Sequence, residues 1–405
     1  MHWSRLSRCK RRIGNRWVVV DPSFCEEPRD HGPREVGSSN GRAVFGYGGP
    51  RLNAIPPAAL RWSSCAASGD PARQCRFGEM VLDCYIIPAV HAGRAARRLR
   101  SPHYSGARDQ GIAGVLLREE KANPTGARGA MTKLYAISDL HLGHEANREA
   151  LREIEAHPGD WLILAGDVGE RLSHLQFAFS TLTAKFAKLI WVPGNHELWT
   201  LPSGDGGLRG VARYEQLVAL SRSYGVLTPE DPYPVFSFGG ETVRIVPLFL
   251  LYDYSFRPPQ VRLEDAVTWA AETDVVCTDE LLLHSSPYPG RVQWCHDRCR
   301  MTERRLSHHW DRLPTVLINH FPLRESLVNL PSMPRFSLWC GTRLTENWHK
   351  RFDARVVVFG HLHMRSSSDL DGVRFEEVSF GYPEQWKGKR TIQQCLRQIL
   401  PAPAE

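Results

Sequence analysis

From residue 131 onward, short apolar runs alternate with polar turns in a regular order. Leu134–Ser138 is an apolar run that ends in Asp139-Leu140-His141-Leu142-Gly143-His144, and a helix is expected over Asn147–Ala156. Trp161–Ala165 is a second run, ending in Gly166-Asp167-Val168-Gly169-Glu170, with a helix expected over Leu172–Ala187. Lys188–Val192 is a third, ending in Pro193-Gly194-Asn195-His196-Glu197. Three strand–turn–helix units in a row predict a parallel βαβαβ core. In each unit the polar residues follow the strand's C-terminal end, where open α/β sheets bind ligands.

The second half repeats the theme less regularly. Val235–Phe238 and Thr242–Pro247 predict a hairpin about Gly239-Gly240. Thr315–Asn319 is a strand ending at His320, and Arg355–Phe359 is another, ending in Gly360-His361-Leu362-His363. Helices are expected at Met301–Trp310 and near Thr345–Arg351, and Val373–Val378 reads as a final antiparallel strand. Residues 255–300, rich in Pro, Trp, His and Cys, read as an insertion shaping a substrate rim. Cys295 and Cys299 are read as buried thiols, since no second pair completes a zinc spacing.

Residues 1–130 differ from the rest. They hold 15 of the 33 glycines and a net charge of +10 (21 Lys+Arg less 11 Asp+Glu), against −3 (30 less 33) for the remainder. Their apolar pieces are short: Arg16–Val20, Met80–Ala89 and Ile112–Leu117. They read as a low-order basic Gly/Pro/Arg-rich extension, and Met131 has the look of a natural start, so that the preceding text would be an over-extended gene model. The organisation expected is this extension, a core domain over 131–385 and a C-terminal tail over 386–405. No run approaches the ~18 apolar residues of a membrane span, and a cytoplasmic protein without a disulfide framework is expected. The basic charge sits wholly in the first third, so no basic groove for nucleic acid is expected on the core.

The polar turns carry the candidate chemistry. In an extended Asp-x-His, residues i and i+2 share a face, so Asp139 and His141 are placed to grip one ion. Asp167 has two oxygens and can bridge two ions. Asn195 offers an amide oxygen, and His196 beside it is kept for a proton. Nitrogen and oxygen donors in this mixture suit two transition-metal ions, Mn²⁺, Fe or Zn²⁺, better than calcium.

The full set, Asp139-Leu140-His141, Gly166-Asp167-Val168-Gly169-Glu170, Gly194-Asn195-His196-Glu197, His320 and Gly360-His361-Leu362-His363, resembles the calcineurin-like metallophosphoesterases over residues 133–380. The resemblance implies an α/β sandwich of two mixed β-sheets flanked by helices. It implies one metal on Asp139, His141, Asp167 and His363, and another on Asp167, Asn195, His320 and His361. Asp167 and His196 would be catalytic, with His196 contacting phosphate and protonating the leaving oxygen. Glu170 and Glu197 would orient groups behind the ligands.

Further stretches, Leu317–Leu323, Leu338–Thr342 with Trp348, and Gly372–Val378 with Gly381-Tyr382-Pro383, are similar to an actinobacterial subgroup. It includes 4′-phosphopantetheinyl hydrolases, which act on holo acyl carrier protein. That partner, a phosphodiester bond to the carrier serine, and rim roles for Arg324, Arg343, Trp339 and Trp348 follow from it. Two other readings compete: a small-molecule or nucleotide phosphatase or phosphodiesterase, and a scaffold that keeps the fold without catalysis. The intact ligand set argues against the scaffold.

Overall fold

A computed structural model describes residues 131–403, apart from 203–205 and 309–312, together with the backbone of two strands near the N-terminus. Those two, β1 (Lys10–Ile13) and β2 (Arg16–Val19), pair antiparallel. The expected pieces at Met80–Ala89 and Ile112–Leu117, and the low order expected of the extension, lie outside the described residues.

The first βαβαβ unit forms as the pattern predicts: β3 (Leu134–Ile137), α1 (Glu145–Arg152), β4 (His157–Leu164), α2 (Leu172–Thr183) and β5 (Phe186–Trp191), with the strands parallel. A short α3 (Asn195–Leu198) and α4 (Gly210–Ser223) follow. The hairpin is β6 (Val235–Phe238) and β7 (Glu241–Pro247). Gly239 and Gly240 both take positive φ, 55° and 86°, as a two-residue hairpin turn requires.

Residues 255–300 hold α5 (Ala266–Ala271), α6 (Asp279–Leu282) and the start of α7 (Arg291–His308), which begins ten residues before the helix expected at Met301. Then come β8 (Thr315–Ile318), α8 (Trp348–Arg351), β9 (Ala354–Phe359), β10 (Ser366–Leu370), β11 (Val373–Glu377), α9 (Pro383–Trp386), α10 (Ile392–Cys395) and β12 (Arg397–Leu400). Strand β11, expected as a final antiparallel strand, is antiparallel to β10 but parallel to β9, and β12 follows it.

Strands β3 to β12 make two mixed sheets, ordered β12-β3-β4-β5 and β10-β11-β9-β8-β7-β6. Alternate residues of each face the other sheet. Leu134, Ala136, Ile163, Ala165, Ile190 and Val192 meet Phe236, Phe238, Val243, Ile245, Val316, Ile318, Val356 and Val358 in one buried cluster. Each large aliphatic or aromatic side chain so buried contributes roughly 1.5–3 kcal/mol. A one-residue slip would turn a whole row outward, so this cluster also fixes the register.

The expected tail at 386–405 is not one. Its strand β12 closes the first sheet against β3, and Ile399 is buried in the common core. Among the described residues, no helix is long and apolar enough to cross a membrane.

Beyond β3 the two sheets are joined. Ser138 N–H donates to Val378 O (3.1 Å), and Phe380 N–H donates to Ser138 O (2.8 Å). This brings the C-terminal ends of β3, β4, β8 and β9 to one end of the sandwich.

Candidate metal centre

The residues that meet at this end leave their strands in left-handed turns. Asp139 (φ 53°), His141 (41°), Asp167 (52°), His361 (69°) and His363 (53°) all take positive φ. Asp139 and His141 therefore do not project from an extended strand, as their spacing suggested: β3 stops at Ile137, and the chain coils so that both side chains turn inward. Each such conformation costs a non-glycine residue about 1–3 kcal/mol and persists only where its surroundings hold it.

The holding groups are visible. Asn147 of α1, fully buried, donates through Nδ2 to Leu140 O (2.8 Å) and Gly381 O (3.0 Å). Glu197, also fully buried, accepts the backbone N–H groups of Asp167 (3.0 Å), Val168 (2.9 Å) and Gly194 (2.9 Å). Gly194 is required by close approach, because a Cβ there would lie 2.1 Å from Asp167 Oδ1. Gly360 is under the same constraint, with a Cβ 2.4 Å from Asp139 Oδ2.

The candidate donor atoms sort into a satisfied set and an unsatisfied one. Asp139 Oδ2 accepts from Ser138 Oγ (2.5 Å), Ser379 Oγ (2.7 Å) and His361 N (3.1 Å). Asp139 Oδ1 is buried with no hydrogen-bond partner, 3.1 Å from His363 Nε2 and 3.8 Å from His141 Nε2. His363 Nδ1 donates to Gln385 Oε1 (2.8 Å), and His320 Nδ1 donates to Ala165 O (2.9 Å). Both rings thus turn Nε2 toward the carboxylates, with His320 Nε2 3.3 Å from Asp167 Oδ2. Asn195 Nδ2 donates to Asp279 Oδ1 (3.0 Å), so Asn195 Oδ1 faces the other way.

Asp139 Oδ1, Asn195 Oδ1, His320 Nε2 and His361 Nε2 are all buried without a hydrogen-bond partner. One such atom would cost about 1–3 kcal/mol, and several together call for a bound species. All are electron-pair donors, so a cation fits them. The carboxylates and rings group as Asp139–His141–His363, His141–Asp167–His196 and Asp167–His320–His361, with the ligand atoms of each group within 4.8 Å of one another. His141 links the first group to the second and Asp167 the second to the third, and this continuous run of donors fits a dinuclear site.

The protonation states agree. Burial opposes charge on Asp139 and Asp167, but His363 beside the first and His320 beside the second hold both carboxyls far below the usual range. Burial, then the charge of His320, drives His361 down to about 3, leaving it neutral. Burial also works against a charge on His320, but Asp167 raises it to about 9. The place that proton takes, between Nε2 and a carboxylate, is where a cation would sit.

His196 occupies a different position. Its Nδ1 lies 3.1 Å from Glu170 Oε1, and Trp199 stacks on the ring with centroids 3.8 Å apart. Its Nε2 then faces the centre, 3.8 Å from Asp167 Oδ2. Glu170 orients this imidazole, and Glu197 shapes the Asp167 turn.

Sequence reasoning missed Asp279, Gln385, Asn147 and Ser379. Asp279 is fully buried and holds Asn195, Trp199 Nε1 (2.6 Å) and Tyr252 Oη (2.9 Å). Nothing in Cys277-Thr278-Asp279-Glu280 marks it, since its partners come from residues 195–252. Replacing Asp279 by Ala frees the Asn195 amide to turn. We expect metal affinity at the Asn195 half of the site to fall by roughly 10–100-fold, measured by metal titration of the apoprotein.

A cleft of about 320 Å³ opens over the centre, lined by Asp167, Asn195, His196, His361 and His363 with Trp199, Phe336 and Tyr382. The expected rim residues mostly lie elsewhere. Trp339 and Trp348 are buried in the body, Arg324 pairs with Asp371 and Glu346, and Arg343 pairs with Glu325. His144 precedes α1 without capping it through its side chain, and its ring packs against Tyr382. Cys295 and Cys299 are buried free thiols on α7.

The sequence model for calcineurin-like phosphoesterases matches residues 132–365. An [acyl-carrier-protein] phosphodiesterase, PptH, of Mycobacterium tuberculosis is 48% identical over 277 residues, 68% of this chain and 85% of that protein. The crystal structure of phosphopantetheinyl hydrolase (PptH) from Mycobacterium tuberculosis matches with a TM-score of 0.65 at 48% identity, covering 68% of this chain and 98% of that chain.

Proposed function

The chain belongs to the calcineurin-like phosphoesterase family, and from that premise we propose that it is a dinuclear-metal phosphodiesterase that releases 4′-phosphopantetheine from holo acyl carrier protein. Asp139, His141 and His363 would hold one divalent transition-metal ion, Asn195, His320 and His361 the other, with Asp167 between them. The observation that carries the hydrolase reading is the group of buried, partnerless donor atoms on Asp139, Asn195, His320 and His361. The substrate reading rests on the relative named as an acyl-carrier-protein phosphodiesterase, of which this chain covers 85%.

A pair of bound ions would polarise the phosphoryl group and supply a water acidic enough to attack at neutral pH. The chain's own residues do the rest. Glu170 accepts from His196 Nδ1, so in the doubly protonated ring the second proton stands on Nε2, from which it can pass to the departing serine oxygen. Trp199 and Phe336 line the cleft and would shield a phosphate seated there from bulk water.

The test is mass spectrometry of holo carrier protein incubated with the Mn²⁺-loaded enzyme. Loss of the whole phosphopantetheine arm, leaving an unmodified serine, is expected. An intact carrier, with hydrolysis of small phosphoesters or nucleotides, would move the substrate to that class. No hydrolysis of either by metal-loaded protein would leave the scaffold reading.

A further inference from the structure

One hydroxyl beside the centre has no structural employment. Thr278 lines the cleft together with Asp167, Asn195, His196 and His361. It is 3% exposed, and its Oγ1 is buried with no hydrogen-bond partner. A threonine at the start of a helix ordinarily bonds to nearby backbone. Here the backbone is committed without it: Thr278 O accepts Leu281 N (2.9 Å) and Leu282 N (3.0 Å), and the side chain makes no cap bond. The next residue, Asp279, anchors Asn195 (3.0 Å), which ties Thr278 to the metal ligands. A valine would fill the same space without a buried hydroxyl left unmet.

We infer that the Thr278 hydroxyl contacts the substrate, donating a hydrogen bond to a phosphoryl oxygen of the bound phosphoester. This rests on the phosphoesterase reading of the centre. A neutral hydroxyl is a suitable donor there. Its bond to an anionic oxygen is charge-assisted, and it adds no charge that would compete with cations for the carboxylates. As charge builds on the phosphoryl oxygens toward the transition state, the bond strengthens, so it acts on turnover as well as on binding.

The test uses the full chain loaded with Mn²⁺ and inorganic phosphate as the probe, titrated calorimetrically, with metal content measured on the same samples. Thr278→Val is expected to bind phosphate about 10-fold more weakly and to lower kcat for a phosphodiester by roughly 10–100-fold, the range of one hydrogen bond to a charged group, with unchanged metal content. Thr278→Ser, which keeps the donor, is expected to restore most of both. Thr278→Ala removes the hydroxyl with no methyl to misplace and stands in if the valine variant fails to fold. Phosphate affinity equal to wild type in the valine and alanine variants would overturn the inference. So would loss of metal in step with phosphate, which would make Thr278 part of the metal-holding frame. A wild type that binds phosphate but leaves holo carrier protein intact would sink the proposed substrate and leave this inference standing.

Discussion

Asp167→Asn is expected to lower turnover by about 10³-fold or more, equivalent to roughly 4 kcal/mol of transition-state stabilisation. Asparagine has nearly the same shape, and one oxygen can still accept the His196 N–H that Asp167 Oδ1 accepts at 3.0 Å. What disappears is a charge. Asp167 Oδ2 sits 3.3 Å from His320 Nε2 and 3.8 Å from His196 Nε2, and the same carboxylate stands in both neighbouring donor groups. Two cations held close together repel strongly at low dielectric, and the shared carboxylate is the anion positioned to offset that repulsion. The variant should therefore lose the second ion or hold the pair too far apart to clamp a phosphate. Steady-state kinetics at saturating Mn²⁺, with metal content determined in parallel, decides it. Full activity with both ions present would exclude a bridging role.

The parts of this centre that the sequence discloses are those carried on strand ends. Each strand ends in a polar turn, and the donors at 139, 141, 167, 195, 196, 320, 361 and 363 all stand within a few residues of an apolar run. The alternation along β6 likewise displays the buried face of the second sheet, while β8 and β9 show as continuous apolar runs buried on both faces. Two kinds of feature stay hidden. Strand β10, Ser-Ser-Ser-Asp-Leu, is exposed or half-buried throughout and has no hydrophobic period to detect; pairing with β11 makes it a strand. The groups behind the ligands are hidden for another reason. Asp279 reaches Asn195 across 84 residues, and Gln385 reaches His363 across 22, and neither lies in a recognisable local pattern. A single carboxylate or amide in a loop says nothing until the fold supplies its partner. The backbone geometry was misread for a related reason: spacing alone suggested an extended Asp-x-His, whereas Asn147 and Glu197 stabilise left-handed turns that spacing cannot show.

Glu197→Gln should reveal how far the centre depends on that support, and its effect should fall on stability before activity. The two carboxylate oxygens divide the work. Oε2 accepts from Asp167 N (3.0 Å) and Gly194 N (2.9 Å), and Oε1 accepts from Val168 N (2.9 Å) and lies 3.4 Å from Trp191 Nε1. Glutamine keeps one oxygen and sets an NH₂ group against the N–H donors of the other. Whichever way the amide turns, at least one buried backbone donor faces another donor. The residue is fully buried, so water cannot step in. Unmet buried donors cost about 1–3 kcal/mol each, and a loss of roughly 3 kcal/mol would lower Tm by about 6–12 °C for a body of this size. The left-handed Asp167 turn should relax at the same time, so metal affinity falls with stability. Asp167→Asn predicts a different balance: the backbone support of the turn is untouched, so activity falls far more than the stability of the metal-free protein, which loses only the Asp167–His320 pair. Thermal unfolding of the three apoproteins separates the two effects. A Glu197→Gln variant melting within about 1 °C of wild type, well inside the shift expected for one lost buried bond, would show that the turn is held by something other than this carboxylate.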